Sequence, residues 1–273
     1  MELLTDAIGT GESPRWHDGR LYVADWAAGT IVAVDPDGTT RVAATVPAPA
    51  FCFDFRPDGR WLVVADDRLL VGTPFGPLEP YAPLPGRPGN DIVVDGRGNA
   101  YVGLLGFDFG AGADFPGGPA APGTLVLVGP DRTVLEVAAD LAFPNGIAVT
   151  ADNGTLILAE SYRGRLVAWD VAADGTLGGR RVWAELGEGT APDGICLDAT
   201  GAVWFAEVPG RRCVRVAPGG AVLDTVPLDR GAFACVLGAD TLFVVANEWG
   251  VDGAAGGQVL TAPAPAPGAG WPS

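Results

Sequence analysis

The sequence predicts an all-β fold: a single six-bladed β-propeller that spans residues 1–273 and holds a divalent metal ion on its axis. Three observations indicate this fold. A strand motif recurs six times at intervals close to the length of one propeller blade. The chain contains 41 Gly and 24 Pro without a collagen-like period, which suits a protein with many tight turns. Most of the repeats are preceded by a second short apolar segment, as a hairpin requires.

The recurring motif is a turn that ends in Gly or Asp, then an apolar strand, and in most repeats an acidic or polar residue. It begins at positions 19, 59, 98, 154, 201 and 240, so the intervals are 40, 39, 56, 47 and 39 residues. Four short strands with tight turns need about 40 residues, which is the length of one blade. Six blades therefore account for the chain, and a β-sandwich or an open solenoid is the alternative.

A closed ring needs a complete last blade, because an open blade edge exposes unpaired backbone groups. The segment 258–261 is expected to supply one strand of that blade, and Leu3 and Leu4 are expected to complete the same sheet. The third interval is longer than the others, and its surplus falls within 104–122. We expect a lid loop over a pocket there, since long loops in compact domains are often functional.

The charge of the chain limits its partners. It has 17 basic and 33 acidic residues and a formal net charge of −16, so its surface repels phosphate backbones and anionic lipid. Nucleic acid and membranes are therefore not expected partners, whereas a small-molecule substrate is; the sequence leaves the oligomeric state open. The first residues lack the features of a signal peptide, and no stretch of about 18 apolar residues occurs, so we expect a cytoplasmic protein.

Polar residues cluster where the innermost strands of the predicted blades begin. Loops that enter these strands surround one mouth of the central channel, so Glu12, Asn90, Asp91, Asn145 and Asp193 are expected to converge. Their carboxylate and amide oxygens form a hard donor set that suits Ca²⁺, Mg²⁺, Mn²⁺ or Zn²⁺. Asn-Gly and Asp-Gly are also strong hairpin dipeptides, so Asn145 or Asp193 alone favours a plain turn. Two Pro-Asx-Gly-Ile segments at one blade position, with Glu12 at the equivalent position, favour a metal site instead.

Four segments of the sequence resemble the senescence-marker-protein, gluconolactonase and luciferin-regenerating-enzyme family of six-bladed propellers. They are Gly-Glu-Ser-Pro-Arg-Trp (11–16), Arg-Pro-Gly-Asn-Asp (87–91), Phe-Pro-Asn-Gly-Ile-Ala-Val (143–149) and Pro-Asp-Gly-Ile-Cys-Leu-Asp (192–198). The resemblance covers nearly the whole chain. It implies that Glu12, Asn145 and Asp193 bind one divalent ion, that Asn90 contacts the substrate or a bound water, and that Arg87 holds a substrate hydroxyl or carboxylate.

The activity that the resemblance implies is metal-dependent hydrolysis of a sugar lactone or a related small lactone. In this hypothesis metal-activated water opens the ring, and Asp193 acts either as a base or as a direct nucleophile. Ca²⁺ is the preferred ion, with Zn²⁺, Mn²⁺ and Mg²⁺ as alternatives. Asp91 is expected to contact the substrate, and Phe107, Phe109 and Trp16 are expected to form apolar walls. A phosphotriesterase and a non-catalytic propeller that uses the ion to tie its blades together are the alternative functions.

Overall fold

The computed structural model describes residues 1–107, 121–250 and 253–269, and these form 24 β-strands in six four-stranded antiparallel sheets. Five sheets contain four strands that follow one another in the chain, whereas the sixth combines the last three strands with the first. The innermost strand of each sheet contacts the innermost strands of the two neighbouring sheets, so the six strands form a ring. This arrangement confirms the six-bladed β-propeller and excludes the β-sandwich and the open solenoid. Among these described residues, no helix has the length and apolar character needed to cross a bilayer.

The blades are numbered here in the order of their innermost strands. Blade 1 contains β2 (Gly11–His17), β3 (Arg20–Asp25), β4 (Thr30–Val34) and β5 (Thr40–Thr45). Blade 2 contains β6 (Phe51–Phe55), β7 (Trp61–Ala65), β8 (Arg68–Gly72) and β9 (Leu78–Pro83). Blade 3 contains β10 (Gly89–Val94), β11 (Ala100–Leu104), β12 (Gly123–Val128) and β13 (Val134–Leu141). Blade 4 contains β14 (Pro144–Val149), β15 (Thr155–Glu160), β16 (Arg165–Val171) and β17 (Leu177–Glu185). Blade 5 contains β18 (Pro192–Leu197), β19 (Val203–Glu207), β20 (Arg212–Val216) and β21 (Val222–Pro227). Blade 6 contains β22 (Gly231–Gly238), β23 (Thr241–Gly250), β24 (Gly253–Pro263) and β1 (Glu2–Ile8).

The two ends of the chain close the ring within blade 6. Strand β1 pairs antiparallel with β24, and Leu3 lies opposite Leu260. The predicted closure by the segment 258–261 and the N-terminal residues is therefore confirmed. Since the outer edge of the last blade is supplied by the first strand, the ring cannot open without breaking this ladder of hydrogen bonds.

The repeated strand motif corresponds to the second strand of each blade, and its acidic end has a structural reason. Asp25 accepts hydrogen bonds from the amides of Gly9 and Thr10 at 3.0 and 3.1 Å. Glu160 accepts one from the amide of Ala142 at 2.9 Å. These carboxylates satisfy backbone donors of the segment that leads into the innermost strand, which fixes the path of that segment over the channel mouth.

The hydrophobic core lies between neighbouring blades. It consists of six clusters, and each fills the space between two adjacent sheets. Trp61 and Trp204 are among the largest fully buried side chains. The four Cys are free thiols within this core, and the Sγ atoms of Cys196 and Cys235 lie 3.8 Å apart across two blades. The core therefore packs blade against blade and leaves the axis to polar groups.

The predicted lid, 104–122, joins β11 to β12. Its ends are described: Leu104 closes β11, and Gly123 opens β12. Residues 108–120, which include Phe109, lie outside the described residues. The lid therefore stays a prediction.

Two glycines allow the innermost strands to pack closely. Gly146 and Gly194 lie in β14 and β18, not in hairpin turns, so the turn interpretation of Asn145-Gly146 and Asp193-Gly194 is wrong. A Cβ atom at Gly146 would lie 2.5 Å from the carbonyl oxygen of Asp193, and one at Gly194 would lie 2.5 Å from the Cβ of Ala234. The glycines are needed because the backbones of blades 4, 5 and 6 approach one another beside the axis.

We expect Gly146→Ala to destabilise the protein by about 1–3 kcal/mol, because the added methyl group meets backbone atoms that cannot move aside. The measurement is the free energy of unfolding from urea denaturation. Gly178→Ala is the matched control, since Gly178 also lies in a strand, but a Cβ atom there would meet nothing within 4 Å beyond its chain neighbours. Equal stability of the two variants would contradict the proposed close packing.

Candidate functional site

A cavity of about 740 Å³ opens at one end of the innermost strands. Five of the predicted site residues line it: Glu12, Arg87, Asn90, Asn145 and Asp193. They come from blades 1, 3, 4 and 5 and from the segment that precedes β10. Of the residues predicted to converge at one mouth of the channel, the structure brings Glu12, Asn90, Asn145 and Asp193 together in this cavity. Arg87, which was expected only to hold the substrate, lines the same cavity.

Irregular backbone occurs where the polar residues enter the cavity. The ladders of β2, β14 and β18 each shift register just after their first residues, between Glu12 and Arg15 in β2. Such bulges re-aim side chains and are frequent beside active sites. Ser13 and Phe143 also have positive φ values of 45° and 60°. A positive φ is unfavourable for a residue with a side chain, so the surrounding ring holds the backbone on both sides of the cavity in a strained form.

Glu12 and Asp193 place two carboxyl groups in the same cavity. Burial raises the pKa of Glu12 to about 8, although an amide hydrogen bond from Ser13 acts in the opposite direction. Burial raises the pKa of Asp193 well above its usual range, and the charge of Glu12 raises it further. The two carboxylates therefore repel each other in a region of reduced solvent, and a cation between them would relieve both effects.

The amide of Asn145 is oriented by a short relay of hydrogen bonds. The hydroxyl of Ser161 donates to the carbonyl oxygen of Pro192 at 2.7 Å, so its oxygen is left to accept from Nδ2 of Asn145 at 3.1 Å. Asn145 also makes a hydrogen bond to the carboxyl group of Asp193. With Nδ2 used as the donor, Oδ1 of Asn145 is the atom available to a cation.

Arg15 and Asp91 form a polar layer beneath the cavity. Nη2 of Arg15 donates to Oδ1 of Asp91 at 2.9 Å, and the amide of Ile147 donates to Oδ2 of Asp91 at the same distance. Nε of Arg15 lies 3.3 Å from Asp54, and the charges of Asp91 and Asp54 raise the pKa of Arg15 despite its burial. Both oxygens of Asp91 are thus engaged by the protein. We therefore correct the expectation that Asp91 contacts the substrate: it supports the floor of the cavity.

The structure does not bring Trp16 into this cavity. Trp16 lies near the other end of β2, where its ring stacks on Phe243 with centroids 5.2 Å apart. It lines a separate cavity of about 590 Å³, which the ends of other innermost strands also border. The predicted apolar wall at Trp16 is therefore wrong, because a strand of seven residues carries its two ends to opposite faces of the ring.

Phe107 lies behind the cavity wall. Its ring is 5.6 Å from that of Phe143 and 5.9 Å from that of Tyr162, measured between centroids. Phe143 itself lines the cavity. Phe107 thus supports an apolar wall instead of forming it.

Sequence reasoning missed the residue that orients Asn145 and most of the apolar wall. Ser161 lies in a short 3₁₀ helix, Ser161–Arg163, after β15, and no motif marks it. The missed wall residues are aromatic side chains at the rim of the cavity: Trp26, Phe51, Phe143, Phe233 and Trp249. Their positions beside the predicted inner strands were visible, but aromatic residues at strand ends are common in any β protein.

The donor set at the axis fits one divalent cation. Glu12 and Asp193 supply carboxylate oxygens, and Asn145 supplies an amide oxygen, all of which suit a hard ion. Within the described part of the chain, no group of three or more His, Cys, Asp or Glu side chains is placed to hold a metal. A cation here would therefore depend on two carboxylates and the amide together.

The fold and the site define a closed six-bladed propeller with an oxygen-lined cavity on its axis. A family model described as the SMP-30/Gluconolactonase/LRE-like region matches residues 10–248. The chain therefore belongs to the SMP-30/gluconolactonase/LRE-like family.

Individual relatives agree with this assignment. The 6-deoxy-6-sulfogluconolactonase of Pseudomonas putida is 28% identical over 223 residues, which cover 80% of this chain and 75% of the relative. The L-arabinolactonase of Azospirillum brasilense is 28% identical over 264 residues, which cover 91% and 85%. A solved structure of luciferin-regenerating enzyme has a TM-score of 0.82 at 21% identity and covers 96% of this chain and 95% of its own, which shows the shared fold.

We expect Ser161→Ala to weaken binding of a divalent cation by about tenfold, because Asn145 would lose the acceptor that orients its amide. The measurement is a calorimetric titration with Ca²⁺. Thr5→Ala is the control, since the hydroxyl of Thr5 also accepts a hydrogen bond, from the amide of Ala7, but lies in β1, the outer strand of blade 6. Unchanged affinity in Ser161→Ala would refute the relay.

Proposed function

We propose that this protein is a divalent-metal-dependent hydrolase that opens a small lactone. The observation that carries the proposal is the convergence of Glu12, Asn145 and Asp193 on one cavity at the axis of a propeller of this family. Two relatives that match most of the chain are lactonases by name, which supports a lactone as the substrate. Fold alone does not determine activity, so the site and these relatives together support the proposal.

The cation in this proposal is held by carboxylate oxygens of Glu12 and Asp193 and by Oδ1 of Asn145. Ca²⁺ is the preferred ion because the donors are all hard oxygens, and Zn²⁺, Mn²⁺ and Mg²⁺ are alternatives. When bound, a divalent ion supplies Lewis acidity, which polarises a carbonyl group and lowers the pKa of water. Burial raises the pKa of Glu12 and of Asp193, so their charged forms need a neighbouring positive charge, which a bound cation would supply.

The proposed reaction adds water across the ester bond of the ring. A water oxygen bonds to the lactone carbonyl carbon, the ring C–O bond breaks, and the ring oxygen takes up a proton and leaves as a hydroxyl group. The product is a hydroxy acid, whose carboxyl proton passes to solvent. Asp193 either removes the proton from the attacking water and returns it to the ring oxygen, or attacks the carbonyl carbon directly before water completes hydrolysis.

Two residues at the side of the cavity are proposed to hold the substrate. Asn90 is half-buried, and its Nδ2 donates to the carbonyl oxygen of Pro144 at 3.2 Å. This hydrogen bond fixes the orientation of the amide group and leaves Oδ1 as an acceptor. Arg87 is exposed and its Nη1 lies 3.4 Å from the carbonyl oxygen of Pro122. A guanidinium at this edge of the cavity suits an ester oxygen or the carboxylate of the product.

The main alternative is a propeller in which the cation has no catalytic role. Glu12, Asn145 and Asp193 belong to blades 1, 4 and 5, so one ion would tie three blades together whether or not it reacts.

We further propose a cytoplasmic location, because four Cys remain unpaired thiols even where two sulfur atoms lie close together.

We expect Asp193→Asn to lower kcat for lactone hydrolysis by at least about 100-fold, since the carboxylate that handles the proton is lost. Hydrolysis is followed in a pH-stat on glucono-δ-lactone, on δ-decanolactone and on a phosphotriester, each with Ca²⁺, Mn²⁺ or Zn²⁺ and with the metal-only blank. Asp174→Asn is the control, because Asp174 is an exposed turn residue that hydrogen-bonds to Thr176.

The results separate the functions. Lactone turnover that Asp193→Asn loses and Asp174→Asn keeps supports the lactonase. Turnover of the phosphotriester alone supports the phosphotriesterase. No turnover above the blank, with a cation that raises the melting temperature, supports the non-catalytic propeller.

A further inference from the structure

Apolar side chains from all six blades line the axial cavity. Each blade contributes at least one apolar side chain to the lining, and none of these side chains is a proposed cation ligand. One from each blade, in the order of blades 1 to 6, gives Trp26, Phe51, Leu105, Phe143, Val208 and Phe233. The polar donors lie at the base of the cavity, so a bound molecule would pass from an oxygen-rich floor to a hydrocarbon-lined rim.

The aromatic part of this rim is held in place by the protein. Nε1 of Trp26 donates to the carbonyl oxygen of Phe51 at 2.7 Å, so the indole donor is used internally and the ring is fixed. The ring of Phe143 packs edge-on against Tyr162 at 4.9 Å and against Phe107 at 5.6 Å between centroids. A rim with fixed aromatic rings is preformed for an apolar group and loses little conformational freedom when it binds one.

Trp249 extends the apolar surface outward from the rim. It lies near the end of β23, which with ten residues is the longest of the six second strands. Its ring centroid is 5.7 Å from that of Phe233, and the side chain is 44% exposed. An aromatic ring at the mouth, next to a second ring in the wall, offers a surface on which a hydrocarbon chain or ring can pack.

The rim offers few groups for hydroxyls. Of the polar side chains in the described lining, Asn90 already donates to Pro144, and Asp67 forms an ion pair with Arg68 at 2.8 Å. Arg87 and Asp66 are the other polar side chains outside the proposed cation ligands. These four side chains lie in or beside blades 2 and 3, so sugar hydroxyls that face the other blades would meet apolar side chains, and a buried hydroxyl without a hydrogen bond weakens binding.

We propose that the preferred substrate is a lactone that carries an apolar hydrocarbon substituent, instead of a polyhydroxylated sugar lactone; this proposal rests on the lactone hydrolysis proposed above. The ester group lies at the base, near Glu12, Asn145 and Asp193, and the substituent packs against the rim and against Trp249. The chemistry is the same ring opening by water. The substrate class therefore differs from the sugar lactones after which the two relatives are named.

The test compares two lactones with the same six-membered ring: δ-decanolactone, which has an alkyl chain, and glucono-δ-lactone, which has hydroxyls. We expect kcat/KM for δ-decanolactone to exceed that for glucono-δ-lactone by about tenfold or more, after subtraction of spontaneous hydrolysis. Trp249→Ala should lower the ratio of the two kcat/KM values by about tenfold, since it removes apolar contact from one substrate only. Phe75→Ala is the matched control: Phe75 is 46% exposed and packs on Arg41, away from the cavity.

Each outcome decides one of the two proposals. A ratio that favours δ-decanolactone and falls in Trp249→Ala but not in Phe75→Ala supports the apolar substrate. Preference for glucono-δ-lactone overturns that inference and leaves the lactonase intact. If neither lactone is hydrolysed with any of the three metal ions, the lactonase proposal fails, and calorimetric binding of the two lactones then tests the inference alone. Tighter binding of δ-decanolactone would support an apolar ligand, and equal or weaker binding would overturn it.

Discussion

Two carboxyl groups that repel each other, Glu12 and Asp193, lie together at the axis of a closed ring. The ring leaves them little freedom to separate, because each enters from an innermost strand that is packed against its neighbours on both sides. Closure of blade 6 by β1 completes this confinement. Burial raises the pKa of both groups, because the charged form of each carboxyl group is unfavourable here without a neighbouring positive charge. A divalent cation would stabilise the pair, and Asn145, whose Nδ2 serves as a donor, lines the same cavity with its amide oxygen left as an acceptor.

Beneath this pair, further charged side chains are held close together. Arg15 is surrounded by Asp54 and Asp91, and Asp91 in turn holds the backbone of blade 4 through the amide of Ile147. Four carboxyl groups and one guanidinium therefore share the axis, so acidic groups outnumber basic ones there. Above it the lining changes to aromatic and aliphatic side chains from all six blades. In the proposed function the base takes the cation and the ester group, and the apolar side chains above it select the substituent that the ester carries.

The fold could be predicted from the sequence because each blade is one local repeat. Spacing near 40 residues, paired apolar segments and turn-forming residues all point to the same unit, and the closing strand follows from the need to cover the last edge. The convergence of Glu12, Asn145 and Asp193 could be predicted as well, since equivalent positions in a ring of blades must meet. The glycines after Asn145 and Asp193 are equally typical of hairpin turns, and sequence does not reveal that they are needed where two backbones approach within contact distance.

The residue positions that could not be predicted depend on where along a strand a residue lies and on contacts between side chains. Trp16 is only four residues from Glu12, yet an extended strand separates them by about 13 Å, so they lie toward opposite ends of the channel. Ser161 acts through a hydrogen bond across two blades. The five rim aromatics come from four different blades. None of these has a periodic pattern. They become visible only when the blades are assembled in three dimensions.

The shared cation is tested most directly by anomalous diffraction from crystals grown with Mn²⁺. One strong peak on the axis is predicted, at about 2.0–2.4 Å from a carboxylate oxygen of Glu12, Oδ1 of Asn145 and a carboxylate oxygen of Asp193. No axial peak at a Mn²⁺ concentration that saturates the protein in solution, or a peak bound by other residues, would contradict the metal site and the mechanism that depends on it.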